Sequence, residues 1–142
     1  MEAKFMNSIK AGVIGGIVLA IFTVLSNFVP FVGCITGILG LIVGLAVGVL
    51  ALYFGPKLVA KIVDAIIVSA AAGGVSGLIN GIVILLLALL GAGSSVASGS
   101  ALGAGIGLVA GIMGLVFAVI MGVILAAIAG AAYAFVVLKI QA

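Results

Sequence analysis

Arginine, histidine and tryptophan are absent from this 142-residue chain. Cysteine occurs once, at Cys34, and proline twice, at Pro30 and Pro56. Only 5% of the residues are charged: five lysines and two acids, for a net charge of +3. Each scarcity excludes a class of chemistry. Without histidine there is no imidazole base or ligand, and Cys34 has no partner to activate its thiol. Glu2 and Asp64 cannot form a paired-carboxylate site, and no Gly-Lys-Ser phosphate loop is present. The chain is therefore read as non-enzymatic, with no cofactor, no metal and no evident small-molecule substrate. One cysteine also excludes an intramolecular disulfide. A soluble domain is about 25% charged. So little charge cannot cover a water-facing surface, and a soluble monomer is excluded.

What the chain has instead is apolar bulk: 68% hydrophobic residues and 23 glycines. The apolar runs are Ala11 to Val29, Phe31 to Phe54, Ala65 to Gly91 and Ala101 to Val137. A bilayer core needs about 20 helical residues. The first three runs fit one span each. The fourth, at 37 residues, would be about 55 Å long as a helix. It reads as one long or tilted span. The runs are continuous rather than alternating, which favours helices over barrel strands. No small-x-small cleavage site follows the first run, so it reads as a span and not as a removed signal peptide.

The joints point the same way. Proline ends helices, and Asn27 to Gly33 contains Pro30,. Gly55 and Pro56 suit a helix end and the next helix start. Gly91 to Ser100 is a charge-free Gly/Ser segment, read as a loop. The expectation is a single all-α domain over 1–142. It holds four very hydrophobic, transmembrane-like helices at about 8–29, 31–54, 56–91 and 101–138, packed as two hairpins with glycine-striped interfaces. Residue identity between the two hairpins is poor.

All the charges then fall at one end of the bundle. Lys4 and Lys10 lie in the N-terminal segment, Lys57, Lys61 and Asp64 in the middle joint, and Lys139 near the C-terminus. In a cell membrane, the positive-inside rule places both termini and the middle joint in the cytoplasm. The alternative location is a virion shell. Either way, these five lysines are the candidate contact to anionic lipid head groups or to nucleic-acid phosphates. Tyr53, Phe54, Tyr133 and Phe135 lie near that edge, and Phe28 and Phe31 near the other. They read equally as interfacial belts or as packing residues.

Glycine spacing is the strongest motif. The second span carries Gly33, Gly37, Gly40, Gly44 and Gly48, and the third carries Gly73, Gly77 and Gly81. The fourth carries Gly103, Gly107, Gly111 and Gly114, then Gly122 and Gly130 with Ala118 and Ala126 between. The first has Gly12, Gly16 and Ala20. Steps of four share a helix face. In lipid, close backbone approach rather than apolar burial holds helices together. Two uses stay open: packing within one chain, and packing that extends to further copies as a homo-oligomer or array.

Polar residues inside the runs are few. Asn80 lies deep in the third span and is expected to hydrogen-bond across helices. Ser and Thr can bond their own helix backbone. The stripes are superficially similar to those of rotary c-type subunits, which hold a mid-membrane carboxylate. Asp64 instead sits at the charged edge, where helix-start stabilisation or pairing with Lys61 explains it.

In composition and layout the chain resembles small uncharacterised archaeal four-span Gly-rich membrane proteins. It is also similar in composition to the hydrophobic helical coat proteins of spindle-shaped archaeal viruses. The second resemblance implies smooth helices sealing against copies of themselves, with lysines facing packaged DNA. The functional expectation is a self-associating structural protein of a membrane assembly or a virion coat. The alternatives are a small pore, holin-like protein or transporter, or an accessory subunit of a larger membrane complex.

Overall fold

A backbone surrounded by apolar side chains finds no water for its N–H and C=O groups, and a helix satisfies them internally. The computed structural model describes residues 2–28, 32–54, 59, 61–97, 101–137 and 139; the side chains of 2–4, 28, 32–37, 92, 94–97, 101 and 104 are outside that description. It contains four helices: α1 (Glu2–Phe28), α2 (Val32–Tyr53), α3 (Ile62–Ala97) and α4 (Ala101–Val136). No strand is present among the described residues.

The helices form a bundle in the order α1–α3–α4–α2. The most extensive packing is α3 on α4, followed by α1 on α3. α2 leans on α1 and α4 and reaches α3 across the short diagonal, which leaves α1 and α4 at opposite corners. Gly12 faces Ala72 and Gly16 faces Ile79, so α1 and α3 run in the same direction. Gly73 faces Gly122 and Gly77 faces Ala118, so α4 runs opposite to α3. The start of α1, the end of α2, the start of α3 and the end of α4 therefore gather at one end. There the Asn7 side-chain amide donates to the Phe54 carbonyl at 3.1 Å.

The driest core lies toward that same end. It consists of Ala11, Val47, Ala51, Leu52, Val59, Ala65, Val68, Ala72 and Ala134. Most are alanine or valine, because helices this close leave room for little else.

Three element boundaries differ from the sequence expectation. α1 begins at Glu2 rather than near residue 8. Its first turns are held by packing, with Ser8 and Ala11 buried and Asn7 tied to Phe54. α3 begins at Ile62 rather than Pro56. Val59 precedes it outside any helix and is buried in the core, so the chain tucks inward before turning up. At the far end α3 continues through Gly91 to Ala97, where a loop was expected. Extending an existing helix adds one hydrogen bond for each residue fixed, so the Gly/Ser stretch continues α3. α4 is one continuous helix of 36 residues.

Among the described residues, three helices are long and apolar enough to cross a membrane: Phe5–Asn27, Ile62–Gly91 and Gly105–Val136. Four such spans were expected. The fourth helix, α2, is 22 residues long, and only its Ile38–Tyr53 part has described side chains. α3 and α4, at 36 residues each, exceed α1 at 27 and α2 at 22. Since their other ends are level, the α3–α4 hairpin projects past the α1–α2 hairpin.

Candidate packing surfaces and the lysine edge

The bundle is built on backbone-to-backbone approach at small residues. A Cβ added at Gly77 would lie 2.5 Å from the Ala118 carbonyl oxygen, and one at Gly12 would lie 2.6 Å from that of Ala72. A Cβ at Gly73 would run into the Gly122 carbonyl, and one at Gly48 into the Ala126 carbonyl. Real Cβ atoms do not come this near an oxygen. Only glycine allows these helices their present separation, where Cα–H groups can point at facing carbonyls.

The candidate glycines fall into three sets. Gly48, Gly73 and Gly77 sit against backbone of a neighbouring helix, and a Cβ added at Gly81 would lie 3.0 Å from the Leu115 side chain. Gly44 and Gly111 face side chains: an added Cβ would lie 3.2 Å from Leu125 and 2.5 Å from Ala88 respectively. Gly40 and Gly107 are loosely faced, since an added Cβ would meet no atom of another helix nearer than 3.9 Å. Gly103 lies half-buried on the first turns of α4. Gly33 and Gly37 lie on α2, but their surroundings are outside the described residues.

Several close contacts involve residues beyond that set. Gly122 and Gly130 of α4 meet Gly73 and Ser69, and Gly16 of α1 meets Ile79. Their four-step spacing makes them visible in the sequence. Gly15 breaks that spacing, yet a Cβ there would strike Val47 of α2. It faces a third helix, which no single stripe can announce.

Polar side chains knit the same interfaces. The Thr23 hydroxyl of α1 donates to Asn80 Oδ1 of α3 at 2.7 Å, the interhelical bond expected of Asn80. Ser69 donates to the Gly48 carbonyl at 3.1 Å, fully buried between α3 and α2. At the end of α1, Ser26 and Asn27 both donate back to the Thr23 carbonyl, at 2.8 and 3.3 Å. Ser76 is buried, and its hydroxyl has no hydrogen-bond partner among the described residues.

Three side chains of the lysine edge are described. Lys10, Lys61 and Lys139 are exposed at the end where Asn7 meets Phe54. Lys139 follows the end of α4 with φ at 50°, in the left-handed region that commonly closes helices,. Asp64 lies in the first turn of α3, where a carboxylate complements the helix N-terminus,. The side chain of Lys4 and the whole of Lys57 lie outside the described residues.

Several crevices interrupt the apolar exterior, and two of them, lined almost wholly by apolar side chains, lie along α4. One is a groove of about 690 Å³ on the outer face of α4, around Gly105 and Ala110 and flanked by Leu102, Ile106, Val109 and Met113. The other, of about 340 Å³, lies between α2 and α4 and reaches Asn80. No group of three or more metal-ligating side chains occurs among the described residues. No protein family, curated protein or solved structure matches the chain.

Proposed function

We propose that this chain is a non-enzymatic structural protein, a self-associating hydrophobic bundle that forms part of a membrane assembly or a virion coat. One observation carries the reading. The α3–α4 hairpin holds no charge from Ala65 to Leu138, and each of its helices has 36 residues. That is roughly 54 Å of helix against a hydrocarbon core of about 30 Å. The excess is apolar and points away from the lysine edge. Leu90 and Leu102 near its tip are 72% and 83% exposed. Copies of the chain packed through α4 would cover that surface. The groove at Gly105 and Ala110 offers the small-residue approach that helices in lipid use.

In this reading both termini and the lysines face the cytoplasm, or the nucleic acid inside a shell. A transport role draws less support: crevices with polar lining occur at Asn7 and Lys10 and at Thr23 and Asn27, toward opposite ends of α1, and the crevice at intermediate depth is almost wholly apolar.

The test is the assembly state of the intact protein in lipid nanodiscs or mild micelles, read by cross-linking and by light scattering. The expected result is a defined oligomer that Gly105→Leu shifts toward monomer without loss of helicity. A wild-type chain that stays monomeric as its concentration per micelle rises overturns the reading. So does selective solute flux through reconstituted liposomes.

A further inference from the structure

The crevice between α2 and α4 combines an apolar cleft with one polar group at a definite depth. Asn80 lines it. Its Oδ1 is already engaged by the Thr23 hydroxyl, so the amide NH₂ is what Asn80 has left to donate. The cleft offers no charged group, and its polar share comes from Asn80 and backbone. It therefore suits a neutral acceptor oxygen attached to a long apolar chain, and it does not suit a phosphate or a sugar.

Depth narrows the occupant. Asn80 lies 16 residues beyond Asp64, roughly 24 Å along the helix. In a hydrocarbon core of about 30 Å that starts at the charged edge, Asn80 sits just inside the opposite boundary. Thr23 agrees, lying only five residues before the end of α1 at Phe28. This is the level at which a glycerolipid joins its chains to glycerol. From Asn80 the cleft runs along α4 past Ala118 to Leu125, toward the membrane midplane. Its mouth lies between Leu41 and Phe117, which are 47% and 65% exposed. Gly40 keeps the passage open, because the nearest atom to a Cβ there is Leu19 Cδ2 at 3.9 Å.

We propose that the α2–α4 crevice is a lipid-chain site. It takes one chain of a glycerolipid from the leaflet opposite the lysine edge, with the chain's linkage oxygen accepting from the Asn80 amide. The site rests on the bundle lying in a bilayer and does not depend on self-association.

The intact protein is reconstituted into phosphatidylcholine vesicles that contain a trace of the same lipid with a photoactivatable group mid-chain. Vesicle flotation is checked first, and adducts are mapped by mass spectrometry. The expected result is labelling concentrated on Leu41, Phe117 and Met121. Gly40→Leu fills the passage and is expected to cut that labelling at least fivefold. Asn80→Leu is expected to cut it about threefold or more. Thr23→Val breaks the interhelical bond but spares the Asn80 amide, and is expected to retain the labelling. Labelling spread evenly over α4, including Ile106 and Val109, and unchanged in Gly40→Leu and Asn80→Leu, overturns the site while leaving the membrane reading intact. Loss of labelling in all three variants, Thr23→Val included, also overturns the role given to the amide. A wild-type chain that does not float with the vesicles overturns the membrane reading and the site with it.

Discussion

A methyl group added at Gly122 would lie 2.5 Å from the carbonyl oxygen of Gly73, and the reciprocal substitution at Gly73 would strike the carbonyl of Gly122. The two glycines hold α3 and α4 at backbone contact. Neither helix can yield locally, because the obstacle is main chain and not the end of a flexible side chain. Gly122→Leu is therefore expected to destabilise the bundle by about 2–3 kcal/mol or more, as overpacking a tight contact does. Gly40→Ala is the control. The surroundings of Gly40 are open, and helix propensity favours alanine over glycine by up to about 1 kcal/mol. Its stability is expected within about 1 kcal/mol of wild type. Reversible unfolding in mixed micelles followed by circular dichroism measures both. Equal loss at the two positions would contradict the packing described.

Thr23 and Asn80 form a pair that a double-mutant cycle isolates. Thr23→Val, Asn80→Leu and the double variant are expected to show a coupling of about 0.6–1.7 kcal/mol, the range found for hydrogen bonds between membrane helices. The coupling is expected to be insensitive to salt, since neither group is charged. Additive single effects would mean that the bond contributes nothing to stability.

Two serines on α3, seven residues apart, should behave in opposite ways. Ser69 donates to the Gly48 carbonyl, so Ser69→Ala is expected to cost about 1 kcal/mol. The Ser76 hydroxyl is buried without a partner. Removing it relieves a desolvation penalty, and Ser76→Ala is expected to be neutral or stabilising by about 1 kcal/mol. The same unfolding assay ranks them. A larger loss for Ser76→Ala than for Ser69→Ala would reverse the assignment.

The lysine edge predicts a dependence on anionic partners. In a membrane, replacing Lys10, Lys61 and Lys139 by glutamine is expected to give a measurable fraction of inverted insertion, because the positive-inside bias falls from five lysines to two,. Protease protection of a tag at the N-terminus reads the orientation. In a nucleic-acid-facing shell, each lysine contact contributes about 0.9 to the slope of log affinity against log salt. The triple variant is then expected to flatten the slope by up to about 2.7. Binding to DNA that is absent at low salt removes the shell arm, and unchanged orientation removes the membrane arm.

Much of the architecture was legible in the residues. Four apolar runs interrupted at Pro30, Gly55 and Pro56, with charge confined to three segments, determine four helices whose charged joints share one end. That follows because a helix is the one local structure that satisfies the backbone in apolar surroundings. Spacing in fours shows that Gly73, Gly77 and Gly48 share faces with other small residues. It does not show which face meets which helix. Only the tertiary structure decided that α3 pairs chiefly with α4, that α4 meets neighbouring backbone at Ala118, Gly122 and Ala126 while Gly107 is loosely faced, and that Gly15 serves a third helix. Partner choice depends on how several small steps of backbone approach fit together at once, and a periodic sequence supports many such registers. The length of α3 was decided in the same way. Glycine and serine at residues 91–97 read as a loop by local preference, yet extending an existing helix adds a hydrogen bond for each residue fixed, so they continue α3, and the long hairpin stands beyond the short one,.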